Sequence, residues 1–493
     1  MTKEERKGNL KIAVKDFGPI SSGSVDLKPL TVFIGPNNSG KSYFAMLVNS
    51  IFTSLDSLEA QKLRFHSNRD IELIFEEFPG IKKEISDSKY GDEIEIPRDF
   101  IERMIQIIFK DIFEKQLNNE LVRSYSCQLR ELTRDYKRSF SVILYFHTLK
   151  ILLSLAKGNL KINEYPKLSL HIKVKREVDF FTAFGGEPVG IDRISLSVST
   201  SDRRRFVNGV ESVLLTCMEF IFEHIKNALG IRRNFSCNYL PAARSGILTG
   251  HKALVSNIVR KASYVGIDKF DIPKFSGAVS DLLSSLIELT DEEGPLFGFT
   301  REFEHELIGG EVVISTISDY TAPDIKYRFK DKEISMHQSS STVKELAPLF
   351  LYLKYKVAPG SLLIIEEPEA HLHPENQRIL AKLLVRLIRK GVKLFITTHS
   401  DYLLDQLSSF IMLSRTKSKK QREELNYDKD DYLKPDEIGV HVFQFDKKSK
   451  GYKIEEVEIS AEDGISQEEF LKVNEALYEE SIKIREKIEE RKG

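Results

Sequence analysis

Tryptophan is missing altogether, and cysteine is scarce: Cys127, Cys217 and Cys237 are the three in 493 residues. No C-x-x-C spacing occurs among them, which argues against a disulfide framework or a zinc knuckle and leaves them as ordinary reduced thiols. A surplus of one charge is also lacking. Lysine and arginine number 73 against 74 aspartate and glutamate, a net charge of −1. Any contact with nucleic acid or membrane must therefore be a local patch. No run approaches the roughly 18 apolar residues of a membrane-spanning helix, and the opening "MTKEERKGNLK" is too charged for a signal peptide. The expectation is a soluble, cytoplasmic chain with no membrane partner. Apolar residues make up 41%, enough for large cores, and the length suits roughly two to four domains.

What is present begins with "FIGPNNSGKS" at residues 33–42. Gly35, Gly40, Lys41 and Ser42 satisfy the G-x-x-x-x-G-K-[ST] spacing. Before the loop, residues 30–34 form an apolar, β-branched run that reads as a buried strand. After it, Phe44, Leu47, Val48 and Ile51 recur at i, i+3, i+4 and i+7, as on an amphipathic helix. In that setting the loop residues Gly35, Asn37, Asn38, Ser39 and Gly40 are candidate phosphate binders, because their backbone N–H groups and the helix N-terminus attract anionic oxygens. Lys41 would reach the β- and γ-phosphates of ATP, and the Ser42 hydroxyl would ligate Mg²⁺. The plain alternative is a Gly/Asn/Ser turn between strand and helix.

A second stretch, "SLLIIEEPEAHLHPENQ" (361–377), drives a buried strand into two carboxylates. Glu366 at the strand tip suits Mg²⁺, and Glu367 suits a base for the water that attacks the γ-phosphate. A third, "KLFITTHS" (393–400), ends another buried strand in His399, one helix later, where it could hydrogen-bond that phosphate or water. His371 and His373 lack the i, i+4 spacing of helical metal ligands and read as loop-shaping residues or dimer contacts.

The rest of the chain sets the frame. Short strands occupy 9–34, charged helices about 53–160, strand-like runs 167–178 and 193–200, and an apolar helix 210–230. Residues 248–292 look helical, 311–336 return to strands, and strand–helix alternation follows at 361–366, 375–390, 393–397 and 401–409. No fixed-period repeat appears. The fold class implied is α/β, a split P-loop NTPase with a long, mainly helical insertion. Its domains are 1–52 (N-terminal half of the ATPase head), 53–236 (insertion), 237–460 (C-terminal half) and 461–493 (a closing helix with Ser466 and Glu469 as a capping box). The helix at 99–117 carries apolar residues around much of its girth and must be buried on more than one side.

"GPNNSGKS", "LLIIEEPEAHLHP" and "ITTHS", in that order, resemble the ABC-type ATPases of the RecF/SMC/OLD group, above all the OLD-like ATPases of bacteria and archaea. "YLPAARSG" (239–246) and "HQSSSTVKELAPLF" (337–350) also resemble that family. The second stands where the family carries its signature motif. The resemblance implies that Ser340 or Ser341 contacts the γ-phosphate bound by a partner subunit, in an ATP-dependent homodimer or higher oligomer. Glu366 stands where many of these ATPases have Asp, and "SSST" replaces LSGGQ. The Q-loop glutamine stays open among Gln61, Gln106, Gln116 and Gln128. No nuclease motif or Toprim domain is found, so the implied role is the ATPase of a prokaryotic defence system working with a separate effector protein such as a nuclease. The alternatives are a RecF-like repair ATPase that binds DNA directly and a nucleotide-gated scaffold with negligible turnover. Basic patches at Arg203–Arg205, Arg232–Arg233 and Lys417–Arg422 are the candidate nucleic-acid contacts, without interleaved aromatics. Asp428, Asp430 and Asp431 read as a solvated loop.

Overall fold

The computed structural model describes residues 10–60, 76–134, 139–146, 149–165, 172–182, 188–198, 201–207, 210–228, 235–262, 275–315, 323–416, 419–466 and 478–484. Hairpin β1 (Leu10–Phe17) and β2 (Ile20–Asp26) leads to β3 (Leu30–Ile34), and helix α1 (Lys41–Ala60) follows the glycine-rich loop. Then come α2 (Pro79–Asp87), β4 (Glu93–Glu95), α3 (Arg98–Gln106), a π-helical segment at Ile107–Phe113 and α4 (Glu114–Tyr125). Six strands follow, β5 (Ser141–Phe146), β6 (Leu149–Ala156), β7 (Asn159–Glu164), β8 (Ile172–Thr182), β9 (Pro188–Val198) and β10 (Ser201–Val207), and then α5 (Val210–Ala228). The next elements are β11 (Cys237–Leu240), α6 (Arg244–Ala262), α7 (Gly277–Ile287), α8 (Phe297–Ile308), β12 (Glu311–Ser315), β13 (Asp324–Phe329), β14 (Lys332–Ser335) and α9 (Ser341–Tyr355). The remainder alternates β15 (Leu362–Glu366), α10 (Pro374–Arg389), β16 (Lys393–Thr397) and α11 (Asp401–Leu413), then α12 (Lys419–Glu424), β17 (Ile438–Asp446) and β18 (Gly451–Glu456). Among the described residues, no helix is long and apolar enough to cross a membrane.

The chain divides into two compact units. One gathers Met1–Asp26, Tyr43–Cys237 and Lys274–Gly277. Its strands β2, β1, β5, β6 and β7 pair antiparallel in that order, and β10, β9, β8 and β4 form a second antiparallel sheet. Strands β5 to β7 correct the expectation of charged helices as far as 160. Burial alternates along β5 and along the start of β7, and Lys157 and Gly158 at φ 51° and 84° make the two-residue turn that a right-twisted hairpin favours. The polar half of that alternation gives the segment its charged composition. β7 ends its sheet, and its backbone is covered by side chains of α4. Asn118 donates to the Leu160 carbonyl at 2.8 Å and accepts from the Leu160 amide at 2.7 Å; Glu114 accepts from the Ile162 amide at 2.8 Å. Phe100, Ile101, Met104, Ile105, Ile108 and Phe113 are buried within this chain.

The other unit gathers Leu27–Ser42, Asn238–Pro273 and Ala278–Gly493. Its sheet runs β11, β15, β16, β3, β17, β18. β15, β16, β3 and β17 are parallel, and β18 returns antiparallel. β3 and β15 are buried at every position, as β-strands covered on both faces require. Val32, Ile365, Ile396 and Val440 join Leu346 and Phe350 of α9, Leu380 and Leu384 of α10, and Leu407 of α11 in one core. The acidic loop is not simply solvated. Asp431 is fully buried, takes the Arg386 guanidinium through Nε at 2.7 Å and Nη2 at 3.1 Å, and accepts from the Asp428 amide. Glu469 of the expected capping box lies outside the described residues, as do Arg232, Arg233, Lys417 and Ser418.

Candidate functional site

Parallel register brings three chain segments off one edge of the sheet. Glu366 stands opposite Thr397, and Thr397 opposite Phe33. The glycine-rich loop after β3, Glu367 after β15 and His399 after β16 therefore emerge side by side, where ligands of parallel sheets bind. The Thr398 amide donates to the Phe33 carbonyl at 2.9 Å, and the Glu367 amide to the Thr397 carbonyl at 3.0 Å. These two bonds lock the three tips together.

The loop is built for close approach. Gly35 and Gly40 lie at φ 131° and 106°, and Asn38 at φ 60°. A side chain at Gly35 would place its Cβ 2.8 Å from the Phe443 carbonyl, so no other residue fits there. Lys41 is buried and folds back over the loop, donating to the carbonyls of Gly35 and Pro36, both at 2.9 Å. Burial lowers its pKa, while Glu367, Glu366 and Glu369 oppose that shift through their charges. The lysine thus feels all three carboxylates. The buried hydroxyl of Ser39 has no partner among the described residues, an orphan of the kind a phosphate cradle leaves. Asn37 and Asn38 are exposed, and Ser42 presents its side chain at the first turn of α1.

The two successive glutamates differ. Glu366 is 8% exposed, and both of its carboxylate oxygens are occupied: Oε1 accepts from the Tyr239 hydroxyl at 2.8 Å, Oε2 from the Ala242 amide at 3.0 Å. Glu367 sits in the left-handed region at φ 43°, with its side chain 42% exposed. Such a conformation is strained for a residue with a Cβ, and strain of this kind concentrates at functional sites.

His399 Nε2 lies 3.9 Å from Glu367 Oε1. Burial and the Lys41 charge lower the His399 pKa, against a smaller upward pull from Glu367, which favours the neutral imidazole. Its backbone is held by Glu369, whose Oε1 accepts from the His399 amide at 2.8 Å and the Thr398 hydroxyl at 2.7 Å. Burial raises the Glu369 pKa despite those bonds. Sequence reasoning misses Glu369, Tyr239 and Arg244. For Glu369 the signal was a third carboxylate in "EEPEAH". For the other two it was "YLPAAR", stripped of a partner.

The serine turn lies at the start of α9. Ser340 caps that helix, its hydroxyl accepting from the Val343 amide at 3.3 Å, and Ser341 is exposed. The nearby Thr342 hydroxyl donates to the His371 carbonyl at 3.4 Å. His371 adopts φ 60° in the turn after β15, and His373 caps α10, Nδ1 accepting from the Glu375 amide at 3.4 Å; both shape the loop. No group of three or more His, Cys, Asp or Glu arranged for a metal ion occurs among the described residues. Arg203–Arg205 fall on β10. Arg422 is turned inward, donating to the carbonyls of Thr416 and Lys429 and lying 4.6 Å from the Tyr432 ring centroid.

Two family models match parts of this chain. Residues 10–174 match the family described as "AAA ATPase domain", and residues 280–405 match "AAA domain, putative AbiEii toxin, Type IV TA system". No curated protein matches. Among solved structures, an SMC head bound to the C-winged helix domain of ScpA is 13% identical, covering 92% of this chain and 98% of that one, at a TM-score of 0.36. The SMC head domain from Thermotoga maritima is 12% identical, with coverage of 92% and 100% and a TM-score of 0.31. An SMC head with an extended coiled coil, bound to the C-terminal domain of ScpA derived from Pyrococcus furiosus, is 12% identical, with coverage of 95% and 98% and a TM-score of 0.35.

Proposed function

We propose that the chain is an ATP-binding and ATP-hydrolysing switch dependent on Mg²⁺. The carrying observation is the one end of the parallel sheet that joins a glycine-rich loop, a buried lysine, a strained glutamate and a histidine 3.9 Å from it. Lys41, relieved of the Gly35 and Pro36 carbonyls, pairs with the β- and γ-phosphates, and the loop amides from Gly35 to Gly40 complete the cradle. The donor set is one a hard cation takes: the Ser42 hydroxyl and the Glu366 carboxylate, whose oxygens each keep a lone pair beside the bond accepted from Tyr239 or Ala242, would hold Mg²⁺, which draws its other oxygens from phosphate and water. When bound, the ion neutralises charge on the phosphates. Glu367 accepts the proton of the attacking water, and His399, as a neutral imidazole, hydrogen-bonds the water or the γ-phosphate. Ser340 and Ser341, at the N-terminus of α9, serve the site of a second copy, so that ATP closes a dimer.

The family description naming a toxin–antitoxin system supports a defence setting, in which the switch controls a separate effector. Glu367→Gln keeps the side chain's size and removes the base. It should bind ATP normally while turnover falls by about 10² or more. Undiminished turnover would overturn Glu367 as the base. Purification from the native host should recover a second protein whose retention depends on ATP; its absence in both nucleotide states would remove the effector reading.

A further inference from the structure

The segment "YLPAAR", Tyr239–Arg244, is far from β15 in sequence yet ends on it at several points. The Tyr239 hydroxyl and the Ala242 amide occupy the two oxygens of Glu366. Arg244, 1% exposed, donates Nη1 to the Glu366 carbonyl at 2.6 Å and Nη2 to the Glu367 carbonyl at 3.0 Å. Its Nε donates to the Glu345 carbonyl at 3.1 Å, and the Glu345 carboxylate lies 2.9 Å from Nη2, also 1% exposed. Nη1 further reaches the Pro241 carbonyl at 3.4 Å.

We propose that Tyr239 and Arg244 are positioning residues for the hydrolysis described above, and that Arg244 links the carboxylate pair to the serine turn of α9. The inference rests on that reading of the site. A buried guanidinium is costly, and an apolar pair would fill the same space more stably. Here its planar fork grips the two successive carbonyls that frame the strained residue. Glu367 is held from both sides, its amide by the Thr397 carbonyl and hydroxyl at 3.0 and 3.2 Å, its carbonyl by Arg244. That grip holds φ at 43° and leaves the Glu367 side chain half-exposed while Glu366 stays buried. Two adjacent glutamates are thereby turned to different tasks. Glu345 stands one turn into α9 from Ser341, so a displacement of the serine turn reaches the Glu367 backbone through a single buried ion pair. A lysine at 244 keeps the charge beside Glu345 but cannot fork onto both carbonyls.

The test compares the full chain with Arg244→Lys, Arg244→Ala and Tyr239→Phe, measuring ATP turnover, binding of a fluorescent ATP analogue and thermal melting. Analogue affinity and KM should stay within about threefold of the parent while kcat falls about tenfold or more in Arg244→Lys and further in Arg244→Ala. Tyr239→Phe should lower kcat by about three- to tenfold at unchanged affinity. A folded Arg244→Lys with parental kcat overturns the proposal. If the arginine variants do not fold, Tyr239→Phe decides alone, and parental kcat there overturns it as well. A parent chain that turns over no ATP overturns the hydrolytic reading itself and this one with it, a result recognisable because it precedes any substitution.

Discussion

The two units solve the placement of polar groups in opposite ways. In the parallel sheet, β3 and β15 are buried at every residue, so polar side chains gather at the strand tips, where they are mostly paired. The tips accordingly carry dense networks: Tyr239 on Glu366, Thr398 and the His399 amide on Glu369, and Ser400 on Gln377. In the antiparallel meander, outward positions along β5 and β7 are open, and polar side chains cover an edge instead, through Asn118 and Glu114. One arrangement concentrates charge where a ligand can meet it. The other uses the same residue types to close a sheet.

The strongest way to break this contrast is Lys41→Ala. Three carboxylates act on that ammonium, and without it their negative field would repel a nucleotide. ATP binding should be abolished, as read by titration with a labelled analogue, while amide exchange in β5–β7 stays parental. Retained binding would show that the loop amides suffice and that the strand-tip charges are not poised around the lysine.

A second test stays inside the parallel sheet, where one polar residue escapes the rule. His441 lies on β17 opposite Phe33, is 1% exposed, and neither ring nitrogen has a hydrogen-bond partner among the described residues. Burial pulls its pKa down to about 4, with Lys28 acting the same way and Glu456 against. The folded state therefore keeps a neutral ring while the unfolded chain takes a proton below about 6.5. Stability present above that value is lost as pH falls from about 6.5 to 4, by up to about 3 kcal/mol. His441→Leu should flatten that acid limb in denaturant titrations at pH 7, 5.5 and 4. An unchanged limb would mean that other groups set it.

How far the sequence discloses this molecule follows the same division. β3, β15 and β16 are legible because unbroken apolar runs stop at a glycine loop, a glutamate pair or a histidine, and their parallel packing follows from the helices between them. The hairpins β5 to β7 are not, since Lys150, Lys161 and their neighbours on alternate residues give a helix-like charged composition. At the site, G-x-x-x-x-G-K-S is legible because phosphate binding fixes a spacing along the chain. Arg244 is not, because most of its acceptors are backbone carbonyls of distant segments and its one carboxylate partner, Glu345, lies 101 residues away. Glu369 draws no reading from the sequence, and only its bonds from the Thr398 hydroxyl and the His399 amide place it.

On the antiparallel side, Asn118→Ala removes both the donor and the acceptor that cover Leu160 at the edge of β7. Two backbone groups lose their partners, which should cost about 2 kcal/mol. The Leu160 amide should lose protection from hydrogen exchange while nucleotide binding is unchanged. A protected Leu160 in the variant would mean that water replaces the asparagine at no cost, and that the cover is ornamental.

The smallest expected effect comes from Glu369→Gln, and it sharpens the contrast most. Glu369 Oε1 accepts two hydrogen bonds, Oε2 is buried without a partner among the described residues, and burial raises the carboxyl pKa above its usual 4.5. A raised acid holds its proton longer in the folded state than in the unfolded chain. Stability therefore falls as pH rises from about 4.5 through the folded pKa, and the penalty remains in full at neutral pH. Glutamine keeps an oxygen for Thr398 and His399 but carries no charge to desolvate. The variant should match the parent below about pH 4.5 and melt slightly above it at pH 7. The measurement is the difference in melting behaviour between parent and variant across that range. If glutamine instead weakens the fold at pH 7, the carboxylate's burial is being offset by Lys41 at the strand tips, and pairing there is stronger than desolvation.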